Sequence, residues 1–160
     1  PRVVELLRQT KEKTGVPADA PLEALIAAMK HLGLTKLAVG SRWADAVNDA
    51  IVTYLADGGI KVVAITKRNQ WASDAFAMTL EQGVDMALDV GREAAKIAPQ
   101  AEAISVPGGA AMSLHVIPAL EEEFAKPAFT NMSVEVWNQL VSPGIIPPVQ
   151  GWGRLLAMKG

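Results

Sequence analysis

Apolar residues recur along the chain in two rhythms, and the two alternate. Val3, Val4, Leu6 and Leu7 sit among Glu5, Arg8, Lys11 and Lys13, a helical arrangement that Gly15 stops near Thr14. Leu22, Leu25, Ile26, Met29 and Leu32 repeat at helical spacing up to Gly33, and residues 36–40 (K-L-A-V-G) read as a short buried strand. Trp43, Val47, Ala50, Ile51, Tyr54 and Leu55 mark one face of the next helix, which ends at Gly58-Gly59 before a strand over 61–66 (K-V-V-A-I-T). Phe76, Leu80, Val84, Leu88 and Ala95 predict a long helix over 73–98, loosened at Gly83 and Gly91, where glycine costs about 1 kcal/mol against alanine. Pro99 closes it. A strand over 102–106, a Pro107-Gly108-Gly109 turn and a helix with Ile117, Leu120 and Phe124 on its buried stripe follow. Lys126-Pro127 ends that helix, 128–132 form a strand, and Val136, Trp137, Leu140 and Val141 form a short last helix before an irregular, proline-bearing tail from Ser142.

Strands that alternate with helices pair in parallel through right-handed crossovers. The expected fold class is therefore α/β: a doubly wound, mostly parallel sheet of roughly four or five strands with helices on both faces. Ligands of such sheets collect at the carboxyl ends of the strands. Four loops are thereby singled out, 40–43, 66–71, 106–113 and 130–133.

With 160 residues, 50% hydrophobic and 20% charged, the chain can bury one substantial core without a disulfide or metal. Fifteen Lys and Arg against 17 Asp and Glu give a net charge of -2, which leaves no basic footprint for nucleic acid or an anionic membrane surface. Cysteine is absent, so disulfides, thiolate metal sites and any cysteine nucleophile within this chain are excluded. No apolar run reaches the roughly 18 residues of a membrane span, and Pro1-Arg2 followed by a charged segment is unlike a signal peptide, so a cytoplasmic location is expected. Starting without methionine and directly in a helical pattern, the sequence also leads us to expect a segment upstream.

Candidate chemistry is sparse. The loop 107–113 leaves a strand and enters a helix, and its small residues would let backbone N–H groups approach a carboxylate or phosphate; taken alone, the glycines are better explained by a plain tight turn. It carries neither the P-loop nor the dinucleotide fingerprint. Ser41 precedes a helix, where its hydroxyl either caps the N-terminus or meets a ligand, and Ser133, with Glu135 nearby, has the same two readings. Arg42 would clamp a carboxylate or remain a solvated arginine. His31 and His115 read as helix-surface residues, and two distant histidines without cysteine supply no metal site. Glu121-Glu122-Glu123 reads as a solvated helix face, while Asn69 and Trp71 lie in a post-strand loop that lines a pocket or is merely polar.

The stretch from Ser105 to Glu121 (S-V-P-G-G-A-A-M-S-L-H-V-I-P-A-L-E), followed by Lys126-Pro127 and a strand, resembles the second half of the aspartate/glutamate racemase superfamily, in its arylmalonate decarboxylase and maleate cis-trans isomerase branch. Trp43-Ala44-Asp45-Ala46-Val47-Asn48, Trp137 and the tail Gly151-Trp152-Gly153-Arg154-Leu155-Leu156 agree in order. The resemblance covers the C-terminal two thirds of such a protein. It implies a cofactor-independent isomerase or decarboxylase acting on small carboxylates such as maleate or arylmalonate-like acids, with an active site between two α/β halves. It assigns substrate contacts to Ser41, Trp43, Asn69, Gly108, Gly109 and Ala110, where backbone donors would hold a carboxylate as charge builds. Family cysteines move protons or add to the double bond, but the second-half cysteine position is Gly108, so the catalytic residue is unknown and this chain alone is expected to be inactive. The implied organisation is a segment over 1–21 belonging to a first half, an α/β domain over 22–141, and a tail over 142–160 returning to that half. A homo-oligomer or association with the first half follows. The alternative is a non-catalytic carboxylate-binding or oligomerisation module that lost the cysteine.

Overall fold

A computed structural model describes residues 2–108 and 113–160, and in it the alternation resolves into one sheet of four strands. These are β1 (Lys36–Val39), β2 (Lys61–Ile65), β3 (Ala103–Val106) and β4 (Ala128–Thr130), all parallel and ordered β2-β1-β3-β4. The chain runs outward from β1 to β2, crosses back over β1 to β3, then continues outward to β4. Successive connections therefore diverge between β1 and β3, the position at which open α/β sheets leave a crevice.

The sheet is covered on both faces, and strand alternation decides which residue goes where. Leu37, Val39, Ala103 and Phe129 pack against α2 (Pro21–His31), α3 (Asp45–Asp57) and α7 (Asn131–Val136). Ile104, Val106 and Ala128 point the other way, toward α5 (Leu80–Ile97) and α6 (Ile117–Phe124), and Ala38 and Ala64 meet Ala94 and Ala98 of α5. The first helix, α1 (Arg2–Thr14), leaves Val4 and Leu6 exposed.

The expected long helix over 73–98 is two helices, α4 (Ala72–Phe76) and α5. Thr79 causes the break: its hydroxyl accepts from the Gln82 amide while the Gln82 side chain accepts from the Thr79 amide, a reciprocal N-cap that starts a new helix. Nor is α5 loosened at its glycines. Of the expected series Phe76, Leu80, Val84, Leu88 and Ala95, Ala95 is buried, Val84 and Leu88 are partly buried against the α6 face, and Phe76 and Leu80 are exposed; Gly83, Ala87, Val90, Gly91 and Ala94 complete the buried stripe. Small residues let the helix approach the sheet so closely that a Cβ on Gly40, just past β1, would lie 2.7 Å from the Gly91 nitrogen. On α3 the expected Ile51 and Leu55 are buried and Asn48 joins them, while Val47 and Ala50 are exposed.

The last helix starts earlier than expected, at Asn131, and runs into a π turn (Trp137–Val141) in which the Ser142 amide donates to the Trp137 carbonyl at 2.7 Å. Beyond it, Leu155 and Leu156 are buried in the core of the α2 face, so these two tail residues find partners inside this chain. Glu121 is not part of a solvated face. Its carboxylate, nearly buried, accepts the Ala128 amide at 3.0 Å and the Arg154 amide at 3.0 and 3.1 Å, fastening α6 to β4 and the tail.

Candidate functional site

The loop after β1 is held by polar contacts that run inward. Gly40 continues the ladder by donating to Ser105 at 2.7 Å. Ser41 is fully buried; its hydroxyl donates to Asn48 Oδ1 at 2.6 Å and accepts the Trp43 amide at 3.1 Å. Asn48 in turn donates to the Thr66 carbonyl at 2.9 Å, and the Thr66 hydroxyl donates to the Ser41 carbonyl at 2.7 Å. This closed network ties the ends of β1 and β2 to the start of α3. It commits the single proton of Ser41 to Asn48, leaving the hydroxyl an oriented part of the frame.

Trp43, half-buried, lies ahead of α3, which starts at Asp45. Between Ser41 and Trp43 stands Arg42, only 5% exposed and thus not the solvated arginine of one sequence reading. Its Nη1 donates to Gln70 Oε1 at 3.0 Å, the Gln70 amide donates back to the Arg42 carbonyl at 3.0 Å, and the guanidinium lies 5.6 Å from the Trp43 ring centroid. Buried Nε has no hydrogen-bond partner among the described residues. Removal from water pushes the Arg42 pKa down from its ordinary value.

Across the crevice from Arg42, at the end of β3, is Gly108. Its φ of +115° is a conformation that favours glycine, and a Cβ there would lie 3.3 Å from Arg42 Nε, 3.6 Å from Nη2 and 3.6 Å from Trp43 Cζ2. The residue assigned to the family cysteine position thus faces a guanidinium and an indole. Gly109 and Ala110 lie outside the described residues. Next to this point opens a cavity of about 350 Å³, lined by Trp43 and Pro107 together with Val47, Ile51, Tyr54 and Asn131. Tyr54 donates to Glu23 at its wall; burial and that carboxylate push the phenol up to about 12.

The other candidates separate. Asn69 is exposed with φ 53°, and the adjacent Gln70 is the residue that turns inward to Arg42; Trp71 is exposed. The Ser133 hydroxyl donates to the Thr130 carbonyl at 3.0 Å and accepts the Thr130 amide at 2.9 Å, a helix cap. His31 lies tilted against Trp137, 4.9 Å between centroids, and His115 meets Trp152 edge-on at 5.5 Å. Among the described residues no group of three or more His, Cys, Asp or Glu could hold a metal, and no helix is long and apolar enough to cross a membrane. Sequence reasoning marked the loop 66–71 but not Thr66 or Gln70 within it, which carry no pattern of their own. Asn48 left a signal, a lone amide in register with Ile51 and Leu55 on an apolar stripe.

Fold and site together define a doubly wound α/β domain with a cationic, side-chain-sparse edge at its switch point. The family model for arylmalonate decarboxylase matches residues 3–156, and the chain belongs to that family. It is 24% identical over 148 residues to the arylmalonate decarboxylase of Bordetella bronchiseptica, a match covering 91% of this chain and 60% of that protein. This chain thus spans less than two thirds of that relative's length. A crystal structure of arylmalonate decarboxylase superposes with a TM-score of 0.83 at 21% identity, over 96% of this chain and 66% of that one. The maleate cis-trans isomerase of Nocardia farcinica, in a variant carrying a covalently bound succinylcysteine intermediate, superposes with a TM-score of 0.75 at 18% identity, over 96% and 63%. The resemblance read from residues 105–121 and from the tail is therefore shown at the level of the family, and the α/β fold with it.

Proposed function

We propose that this chain is the carboxylate-holding part of a cofactor-independent, cytoplasmic isomerase or decarboxylase that acts on small carboxylates such as maleate or arylmalonate-like acids. The observation that carries the reading is at Gly108: in a member of this family, the place of the expected cysteine has no side chain and lies against the guanidinium of a buried arginine. A carboxylate bound there would be steadied by a fixed charge as negative charge develops on it, which is how preorganised donors lower a barrier. Proton transfer is a different matter. Ser41 and Thr66 have committed their protons, Tyr54 holds its own up to about 12, and the chain has no cysteine. Such transfer contributes typically about 10²–10⁴-fold, so the chain alone binds without turnover and a complementary half supplies the acid or base. Exposed Val4 and Leu6 on α1 give that half an apolar face to cover, with residues 1–21 and parts of the 142–160 tail as its neighbours.

The test is an assay of this chain on maleate and phenylmalonate against a heat-killed control, with and without a cysteine-bearing first half from a family member. Turnover only in the presence of that half supports the proposal, and turnover by the chain alone refutes the division of labour. The second reading, a non-catalytic carboxylate-binding or oligomerisation module, is favoured by the absence of cysteine and predicts carboxylate binding or self-association with no turnover in either mixture.

A further inference from the structure

Consecutive residues of the tail meet α6 from one end to the other. Trp152 sets its ring edge-on to His115 in the 3₁₀ turn (Ser113–Val116) that leads into the helix. Gly153, at φ +98°, brings bare backbone so close that a Cβ there would lie 2.4 Å from Cγ2 of Ile117, the first helical residue. Arg154 donates its amide to both oxygens of Glu121 and its Nη1 to the carbonyl of Ala125 at 3.2 Å, just past the helix end. The loop 107–113 runs into that same 3₁₀ turn. Its upstream end is fixed by β3, where Ser105 and Val106 pair with Phe129 and Thr130. Its downstream end is Ser113, buried, whose hydroxyl donates to the Gly108 carbonyl at 3.4 Å. The separation of the two ends therefore depends on where α6 sits along its own axis. Val116, Ile117 and Leu120 press that segment onto the sheet, but apolar burial is non-directional and sets an axial position less sharply than hydrogen bonds, which weaken steeply off their geometry. The tail supplies such bonds at Glu121 and Ala125.

We propose that Trp152, Gly153 and Arg154 are positioning residues for the loop 107–113: by fixing α6 along its axis they hold Ser113 in its place relative to Gly108, and so set the loop that receives the ligand. This rests on the carboxylate reading above for what the loop holds, and goes beyond it in placing control of the loop in the tail, outside the crevice. The three residues act through α6 and not by touching the ligand. Leu155, the next residue, belongs to the core of the α2 face, so it serves as the control for plain loss of stability.

The backbone amide NMR resonances of Gly108 and Ser113, and the calorimetric affinity for phenylmalonate, are compared in the wild-type chain, Trp152→Ala, Trp152→Phe, Gly153→Ala and Leu155→Val. Trp152→Ala and Gly153→Ala should move both resonances. Trp152→Phe, which keeps an aromatic edge, should return them toward wild type, and Leu155→Val should leave them in place while lowering the melting temperature. Gly153→Ala removes no ring, so its agreement with Trp152→Ala separates a displaced loop from the lost ring current of the indole. Affinity should fall roughly twofold to thirtyfold in the two displaced variants, the range over which residues remote from a ligand modulate its binding. If Leu155→Val moves Gly108 and Ser113 as far as Trp152→Ala does, the loop answers to general loosening and the proposal is overturned. Unmoved resonances in Gly153→Ala, or unchanged affinity where the resonances do move, overturn it as well. If phenylmalonate fails to bind the wild type, the carboxylate reading falls, and the resonances alone still decide the positioning. Should Trp152→Ala fail to fold, Trp152→Leu, which keeps apolar bulk without a ring, takes its place.

Discussion

Replacing Gly40 by alanine tests whether the loop that carries Arg42 is positioned by direct backbone contact with α5. The added methyl would sit 2.7 Å from the Gly91 nitrogen, 2.8 Å from the Val90 carbonyl carbon and 2.9 Å from Gly91 Cα. Carbon contacts relax near 3.5–4.0 Å, so helix and strand end must separate by roughly 1 Å. Overpacking costs about 1–3 kcal/mol, and against backbone that cannot rotate away the upper end applies; the lowered entropy of the unfolded chain returns about 0.4–1, leaving a loss of about 2 kcal/mol or slightly more. Gly91→Ala is the control. Its methyl meets the movable ends of Leu120 and Val106 at 2.9 and 3.0 Å. Helix propensity also favours alanine there by about 1 kcal/mol, so that variant should stay within about 1 kcal/mol of wild type. Calorimetry should then show Gly40→Ala melting about 4–8 °C lower and Gly91→Ala shifted by less than about 4 °C, with urea midpoints in the same order at unchanged m. A Gly91→Ala variant as unstable as Gly40→Ala would refute the reasoning, because it would place the constraint in side-chain packing and not in the backbone contact.

Glu121→Ala should cost about 3 kcal/mol in urea unfolding, since the amides of Ala128 and Arg154 lose their shared acceptor in a nearly buried place, and Glu121→Gln should cost less. Gly108→Cys should create a thiol whose alkylation rate titrates below the ordinary value of about 8.5, because the Arg42 guanidinium faces it, and adding Arg42→Gln should move the titration back up. Tyr54, the single tyrosine, should ionise near pH 12 in the folded protein and near 10 in urea, followed by phenolate absorbance. A raised pKa favours the protonated folded form, so its contribution to stability is complete below pH 10 and is lost as pH climbs toward 12; stability that is flat across that window would contradict the Tyr54–Glu23 contact.

Wherever apolar spacing met glycine and proline punctuation, the sequence was legible. The four strands stand within two residues of their expected positions because short apolar runs bounded by Gly33, Gly40, Gly58 and Pro127 leave few alternatives. Helix faces were read less well. On α5 the positions nearest the sheet are mostly small, Gly83, Ala87, Gly91 and Ala94, while Val84 and Leu88 are only partly buried beside them, since what the sheet required was closeness, a demand that hydrophobic periodicity does not encode. The break at Thr79 was written in the sequence as Thr-x-x-Gln but masked by the apolar spacing on either side of it. At the site, the loops 40–43 and 106–108 follow from topology alone, and the family resemblance picked out Gly108. The burial of Arg42 did not follow, because it depends on Gln70, Trp43 and Gly108, which come from three separate segments.

The burial of Leu155 and Leu156 beside Leu25, Leu37 and Phe129 also bears on the order of events during synthesis. A core that draws on residues so far apart cannot close as successive segments emerge; strands and helices made earlier wait, with part of the α2 face uncovered, until the tail arrives. Contacts of such sequence separation slow folding, and the waiting intermediate is the species most open to aggregation. A single cut near exposed Ile145 should therefore act less like trimming a loose end than like withdrawing the last piece of the interior.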